Sequence, residues 1–82
     1  MEKNEWIVDL NTMTCWNYAN RLVVAFEKRG IGITGKIKHI PMRLVAEWSG
    51  RLDRQCLMRK SITEAENVFL RAYEEINANL PN

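Results

Sequence analysis

Gly30-Ile31-Gly32-Ile33-Thr34-Gly35 is a literal G-x-G-x-x-G, the spacing with which dinucleotide-binding units cradle a pyrophosphate. That chemistry needs the glycines between a strand and a helix whose N-terminus faces the phosphates. Here Lys36-Ile37-Lys38-His39 follows and alternates as a strand does, and the 82-residue chain is too short for the two-half fold that uses the motif. The motif is therefore read as a hairpin turn, with Gly35 marking a bulge or a close approach of another backbone. His39 is the single histidine. A nucleophilic dyad would set it beside Cys15, Cys56 or Ser61, and no spacing ties it to any of them. Its place at the end of an apolar strand face suggests a packed or capping role. Glu64, Glu66, Glu74 and Glu75 fall on the polar side of a helix and are read as a solvated face. Cys15 and Cys56 lack zinc-ligand spacing and are not a disulfide framework, so both are expected to be small buried hydrophobes. With no identifiable nucleophile, base or metal partner, the expectation is a non-enzymatic protein with no catalytic residue, cofactor or metal.

Two constellations remain. The first is basic. The net charge of +2 hides nine basic and two acidic side chains in residues 28–60, a net of +7, between ends of −2 and −3. Lys28, Arg29, Lys36 and Lys38 gather around one expected hairpin, with Arg43 a little beyond. Thr34, Lys36 and Lys38 fall on its wet face, which Trp16 can share. Cations for phosphate and an aromatic for stacking are what a single-strand or RNA-binding sheet needs. A lysine-lined sheet also resists edge aggregation, and no RNP-type pattern is present. The second constellation is a helical stripe. Met58, Ile62, Ala65, Phe69, Ala72 and Ile76 recur at spacings of four and three, with Leu57, Val68 and Tyr73 widening the stripe. Met58, Ile62, Phe69 and Ile76 are candidate contacts to a second copy of the chain.

The elements that must position these groups read in order. Trp6, Val8 and Leu10 alternate along a strand, and Asp9 to Thr12 supply turn chemistry. Thr12 to Trp16 forms a second strand and Asn17 to Asn20 a loop. Leu22 to Lys28 is a third strand, with Leu22, Val24 and Phe26 on one face. Arg29-Gly30 turns the chain into a fourth, in which Ile31, Ile33, Ile37 and His39 point one way. Pro41 opens a helix carrying Leu44, Val45 and Trp48, and Gly50 ends it. The long helix begins either at Ser61, which has capping-box spacing to Glu64, or near Asp53; the fit of Met58 to the stripe favours Asp53 as its N-cap. Pro81 stops it. Trp6, Trp48, Phe26 and Phe69 are expected in the core.

The fold expected is α+β, a four-stranded antiparallel β-meander followed by two helices packed on one face (β-β-β-β-α-α), as a single domain over residues 1–82. The charged start is followed by no apolar h-region, and the longest apolar run is Leu22 to Phe26. A cytoplasmic location without membrane contact is expected. The leading expectation for function is a protein-interaction or assembly module acting as a homo-oligomer; the alternative is a nucleic-acid-binding protein using the basic 28–60 segment.

The segments Trp6-Ile7-Val8-Asp9, Thr12-Met13-Thr14-Cys15, Phe26-Glu27-Lys28, Gly35-Lys36-Ile37-Lys38, Ile40-Pro41-Met42, Glu64-Ala65-Glu66 and Val68-Phe69-Leu70-Arg71-Ala72-Tyr73 occur in that order. Together they resemble a group of small, uncharacterised spirochaete proteins. The resemblance spans most of the chain. It implies one short domain with a strand-rich first half and a helical second half, and it implies no activity, ligand or functional residue.

Overall fold

The computed structural model describes residues 5–30 and 32–79, the last three of these by backbone only. Four strands precede two helices: β1 (Trp6–Asp9), β2 (Thr14–Asn17), β3 (Val23–Arg29), β4 (Gly32–His39), α1 (Met42–Trp48) and α2 (Arg54–Asn79). The strands form one antiparallel meander in the order β1-β2-β3-β4. The α+β arrangement expected from the sequence is the one observed. Ile31 and Pro81 lie outside the described residues.

Local chemistry accounts for the connections. After β1, the Asp9 carboxylate accepts the backbone N–H groups of Asn11 and Thr12 at 3.0 and 3.2 Å. It thereby stands in for a turn's own carbonyl. Met13 follows with φ of +54°, so β2 starts at Thr14 rather than Thr12. Gly30, with φ of +61°, turns β3 into β4. The G-x-G-x-x-G is thus a hairpin followed by a strand, with no helix to face a phosphate. Gly50 sits at φ of +80° just past α1, as a C′ glycine does.

The β4 strand carries a bulge, but at Lys38 and not at Gly35. Val24 pairs with Ile37 while Val23 pairs with His39, so Lys38 is the extra residue on β4. An extra residue resets the two-residue alternation. His39 therefore leaves the covered face, stands exposed and is cross-strand neighbour to Val23. The packed or capping role expected for it is corrected on this ground.

One sheet face is covered by α2 and α1. Cys15, Val24, Phe26, Ala65 and Phe69 form the main core, and Leu22, Leu44 and Trp48 a second, with Trp6 packed against both. Phe26 and Phe69 stack at a centroid distance of 4.4 Å. The stripe of α2 is largely spent here: Ala65 and Phe69 are buried, and Met58 and Ile62 are half-buried.

At Gly35, α2 passes close to β4. A Cβ there would meet Ile62 Cγ2 at 3.0 Å, Phe26 Cε1 at 3.1 Å and Glu66 Cγ at 3.2 Å. Glu66 is half-buried at this crossing and accepts the Gly35 N–H at 2.9 Å. It covers part of the β4 edge and is not a solvated carboxylate as expected. Gly35→Ala should overpack this crossing and cost about 1–3 kcal/mol. Urea denaturation checks it, and Gly35→Ala combined with Ile62→Ala should recover part of the loss.

The start of α2 is borne out in position but not in its cap, and the burial expected of Cys56 is corrected. Helix α2 takes the long form, with the Asp53 carbonyl accepting the Leu57 N–H at 3.0 Å. The Asp53 carboxylate, however, receives Arg51 Nε and Nη2 at 2.9 and 2.8 Å instead of capping. That hydrogen bonding holds the Asp53 carboxyl below its ordinary range. Cys56 is exposed, because two residues before Met58 it falls on the side of α2 away from the buried stripe.

Cys15 is buried as expected, and its thiol donates to the Ala65 carbonyl at 3.7 Å. Burial pushes its pKa up from 9.0 to about 11. The unfolded chain releases this proton near pH 9 while the fold retains it, so stability falls as pH rises from about 9 to about 11. At about 1.4 kcal/mol per unit, the loss is about 2–3 kcal/mol. Measuring unfolding free energy against pH for wild type and Cys15→Ala isolates this contribution.

Candidate nucleic-acid interface

The second sheet face carries the candidate site. Strand alternation puts Ile7 and Asp9, Thr14 and Trp16, Val23, Ala25 and Glu27, and Thr34 and Lys36 on that face. The register draws two rows across it. Ile7, Trp16, Val23 and His39 are successive cross-strand neighbours, and Asp9, Thr14, Ala25 and Lys36 form the next row. Both core clusters lie on the opposite face. Among the described residues no element covers the Ile7–Trp16–Val23 row.

Trp16 is the centre of this face. Tyr18 meets its ring edge-on, with centroids 5.9 Å apart and planes at 74°, and Tyr18 is itself 64% exposed. The Arg21 guanidinium carbon lies 6.0 Å from the Trp16 centroid. Lys36 stands one row away from Trp16, and the bulged Lys38 and displaced His39 are exposed at the same end of β4. An aromatic ring with a second aromatic edge and cations around it offers stacking for a base and charge for its phosphate.

Arg21 is held by an asparagine network. Asn17 is 0% exposed at the end of β2. Its backbone N–H donates to Leu22 O and its carbonyl accepts the Arg21 N–H, each at 2.8 Å. Its side-chain oxygen accepts the Asn20 N–H at 3.0 Å, and the Asn20 side chain accepts the Leu22 N–H at 3.0 Å. This closure leaves Arg21 in the left-handed region, with φ of +62°. For a residue with a Cβ that conformation costs about 1–2 kcal/mol. The chain keeps an arginine where glycine or asparagine would sit without that strain.

Beside Arg21 opens a cleft of about 590 Å³. Tyr18, Asn20 and Arg21 line it from the β2–β3 loop, Pro41 and Arg43 from the β4–α1 connection, and Glu5 from the chain before β1. The register places these segments at one end of the sheet.

The five basic residues singled out from the sequence are divided by the fold. Lys36 and Lys38 stand with the Trp16 face, and Arg43 lines the adjoining cleft. Lys28 pairs with Ile33 and so belongs to the covered side, where its Nζ donates to Tyr73 Oη at 3.1 Å and lies 5.3 Å from the ring centroid. Arg29 lies at the far hairpin, 3.9 Å from Glu27, with both side chains about three-quarters exposed. An ion pair this exposed contributes little. Of the four residues named for a contact between copies, Phe69 is 1% exposed inside the chain and Ile76 is 49% exposed.

Tyr18, Arg21 and His39 were not singled out as ligand contacts from the sequence. The signal that points to the first two is the asparagine at each end of the loop before Arg21, since asparagine closes turns on its own backbone.

The chain matches no protein-family model, no curated protein and no solved structure. Among the described residues no helix is long and apolar enough to cross a membrane.

Proposed function

We propose that this protein binds single-stranded nucleic acid across the Trp16 face of its sheet. One observation carries the reading: Tyr18 and Arg21 of the β2–β3 loop gather beside the half-buried Trp16, on a sheet face that also bears Lys36. A base can stack on Trp16 while Arg21, Lys36, Lys38 and Arg43 meet phosphates. A planar sheet suits single strands, whose bases splay out, better than it suits a duplex groove.

Fluorescence anisotropy with labelled single strands of RNA and DNA, and with a duplex, tests the reading. With about four phosphate contacts, affinity for a single strand should fall about 50-fold between about 50 and 200 mM salt. Reversing Lys36 and Lys38 to glutamate should abolish most binding, while Lys28→Glu, on the other side of the sheet, should leave it nearly intact. Equal losses from the two changes, or no binding to any strand at low salt, would sink the proposal.

A second reading has its own observation. Leu52 is fully exposed, and Met42 and Val45 are exposed on α1, next to a depression lined by Ile40, Trp48 and Met58. We propose this apolar surface as the contact if the chain forms a homo-oligomer. Sedimentation velocity at low and high salt checks it: a salt-resistant dimer broken by Val45→Glu supports it, and a monomer throughout discards it. Both readings are non-enzymatic. We propose a cytoplasmic location, which suits an exposed free thiol such as Cys56.

A further inference from the structure

We infer that the Arg21–Arg43 cleft takes the phosphorylated end of the strand, so that the protein prefers a terminal phosphate to a hydroxyl end. The inference rests on the single-strand reading above and specifies what occupies one part of that surface.

Three observations lead to it. The cleft lies beyond the strand ends, next to the Trp16 row: Tyr18 and Arg21 both line it, and the Tyr18 ring centroid and the Arg21 guanidinium carbon lie 5.9 and 6.0 Å from the Trp16 ring centroid. A strand whose last base stacks on Trp16 brings its terminus there. Next, two guanidinium side chains line the cleft from separate segments, and Glu5 is the acidic member of the lining. An internal phosphodiester carries one charge, whereas a terminal phosphate carries about −1.5 to −2 at neutral pH. The two guanidiniums outweigh the one carboxylate, and the remaining positive charge attracts the more highly charged terminal phosphate more strongly. Guanidinium groups also pair with phosphate oxygens in a forked geometry that lysine does not offer.

Finally, Arg21 is held in advance. Its backbone is strained, yet it is locked by bonds from a fully buried Asn17 and from Asn20. Strain retained in an over-determined loop is a mark of a functional position. Holding the loop before binding reduces the ordering cost on association.

The test uses the intact protein and one oligonucleotide sequence of about eight residues. It is made with a 5′-phosphate, with a 3′-phosphate, and with hydroxyls at both ends. One of the phosphorylated forms should bind about tenfold tighter than the hydroxyl form. In Arg43→Ala the ratio between the phosphorylated and hydroxyl forms should shrink to within about twofold, on top of the loss that both forms share from one phosphate contact fewer. Arg21→Asn, which suits the left-handed backbone, should also remove the advantage without unfolding the loop. Three forms binding equally well to the wild type would overturn the cleft assignment and leave the single-strand reading standing. A phosphate advantage that survives both substitutions would also overturn it. Failure of all three forms to bind would overturn the single-strand reading, and this inference with it.

Discussion

Phe69→Ala should cost about 3–5 kcal/mol, the loss expected when a buried phenylalanine leaves a cavity. Phe69 is 1% exposed, stacks on Phe26 at 4.4 Å and approaches the Tyr73 ring at 6.4 Å. It is the point at which α2 is joined to the middle of the sheet. A domain of this size is stabilised by about 4–12 kcal/mol in total, so the variant should lie near or below the threshold for folding. At about 4–8 °C per kcal/mol, Tm should fall by at least about 12 °C. Circular dichroism melts and urea titration measure both quantities. Ile76→Ala, on the same helix but 49% exposed, should cost no more than about 1 kcal/mol. If the two variants were destabilised alike, the division of the α2 stripe into a buried part and an exposed end would be wrong.

Trp16→Ala is expected to weaken single-strand binding by about 1–3 kcal/mol, or about 5- to 150-fold, because one stacked base loses its platform. Stacking is retained by any planar ring, so Trp16→Phe should recover most of the affinity. Loss in both variants would point to a structural role for the indole instead. Trp16 lies on the uncovered face, so its removal should be separable from unfolding. The thermal midpoint of Trp16→Ala should lie well above that of Phe69→Ala. An unchanged affinity in Trp16→Ala at a salt concentration where wild type binds would remove the stacking platform from the proposal. Arg21→Gly should separate the same two properties in the opposite sense. It relieves the left-handed strain, leaving stability equal or higher by about 1 kcal/mol, while it removes a cation from the ligand face.

Much of the fold was legible because its signals are local. The alternation of Leu22, Val24 and Phe26 needs only contiguous residues to mark a covered strand face. The four–three spacing from Met58 to Ile76 likewise marks one helix face whatever surrounds it. Gly30 and Gly50 announced two positive-φ turns, and both occur. The failures have a common origin. The run Lys36-Ile37-Lys38-His39-Ile40 alternates so regularly that nothing in it reveals the extra residue at Lys38; only pairing with Val23 and Val24 does. Cys56 and Glu66 were misplaced because burial depends on what stands opposite a helix position. Cys56 falls on the side of α2 away from the sheet, and β4 passes close to Glu66.

The candidate site was legible only as an inventory of cations with one aromatic nearby. Composition and spacing were enough for the strand-then-helix order, the basic middle segment and the implausibility of the glycine motif as a nucleotide cradle. These follow from the chemistry and periodicity of neighbouring residues. The tertiary structure decided which cations share a surface. Strand parity sends Lys28 to one side and Lys36 to the other, and the bulge turns His39 outward. The asparagine-closed loop brings Arg21 over Trp16, and the β4–α1 connection brings Arg43 to the cleft beside it. Those juxtapositions join residues far apart in the chain through sheet register and loop closure, which are properties of hydrogen-bonded pairs and not of any single stretch of sequence.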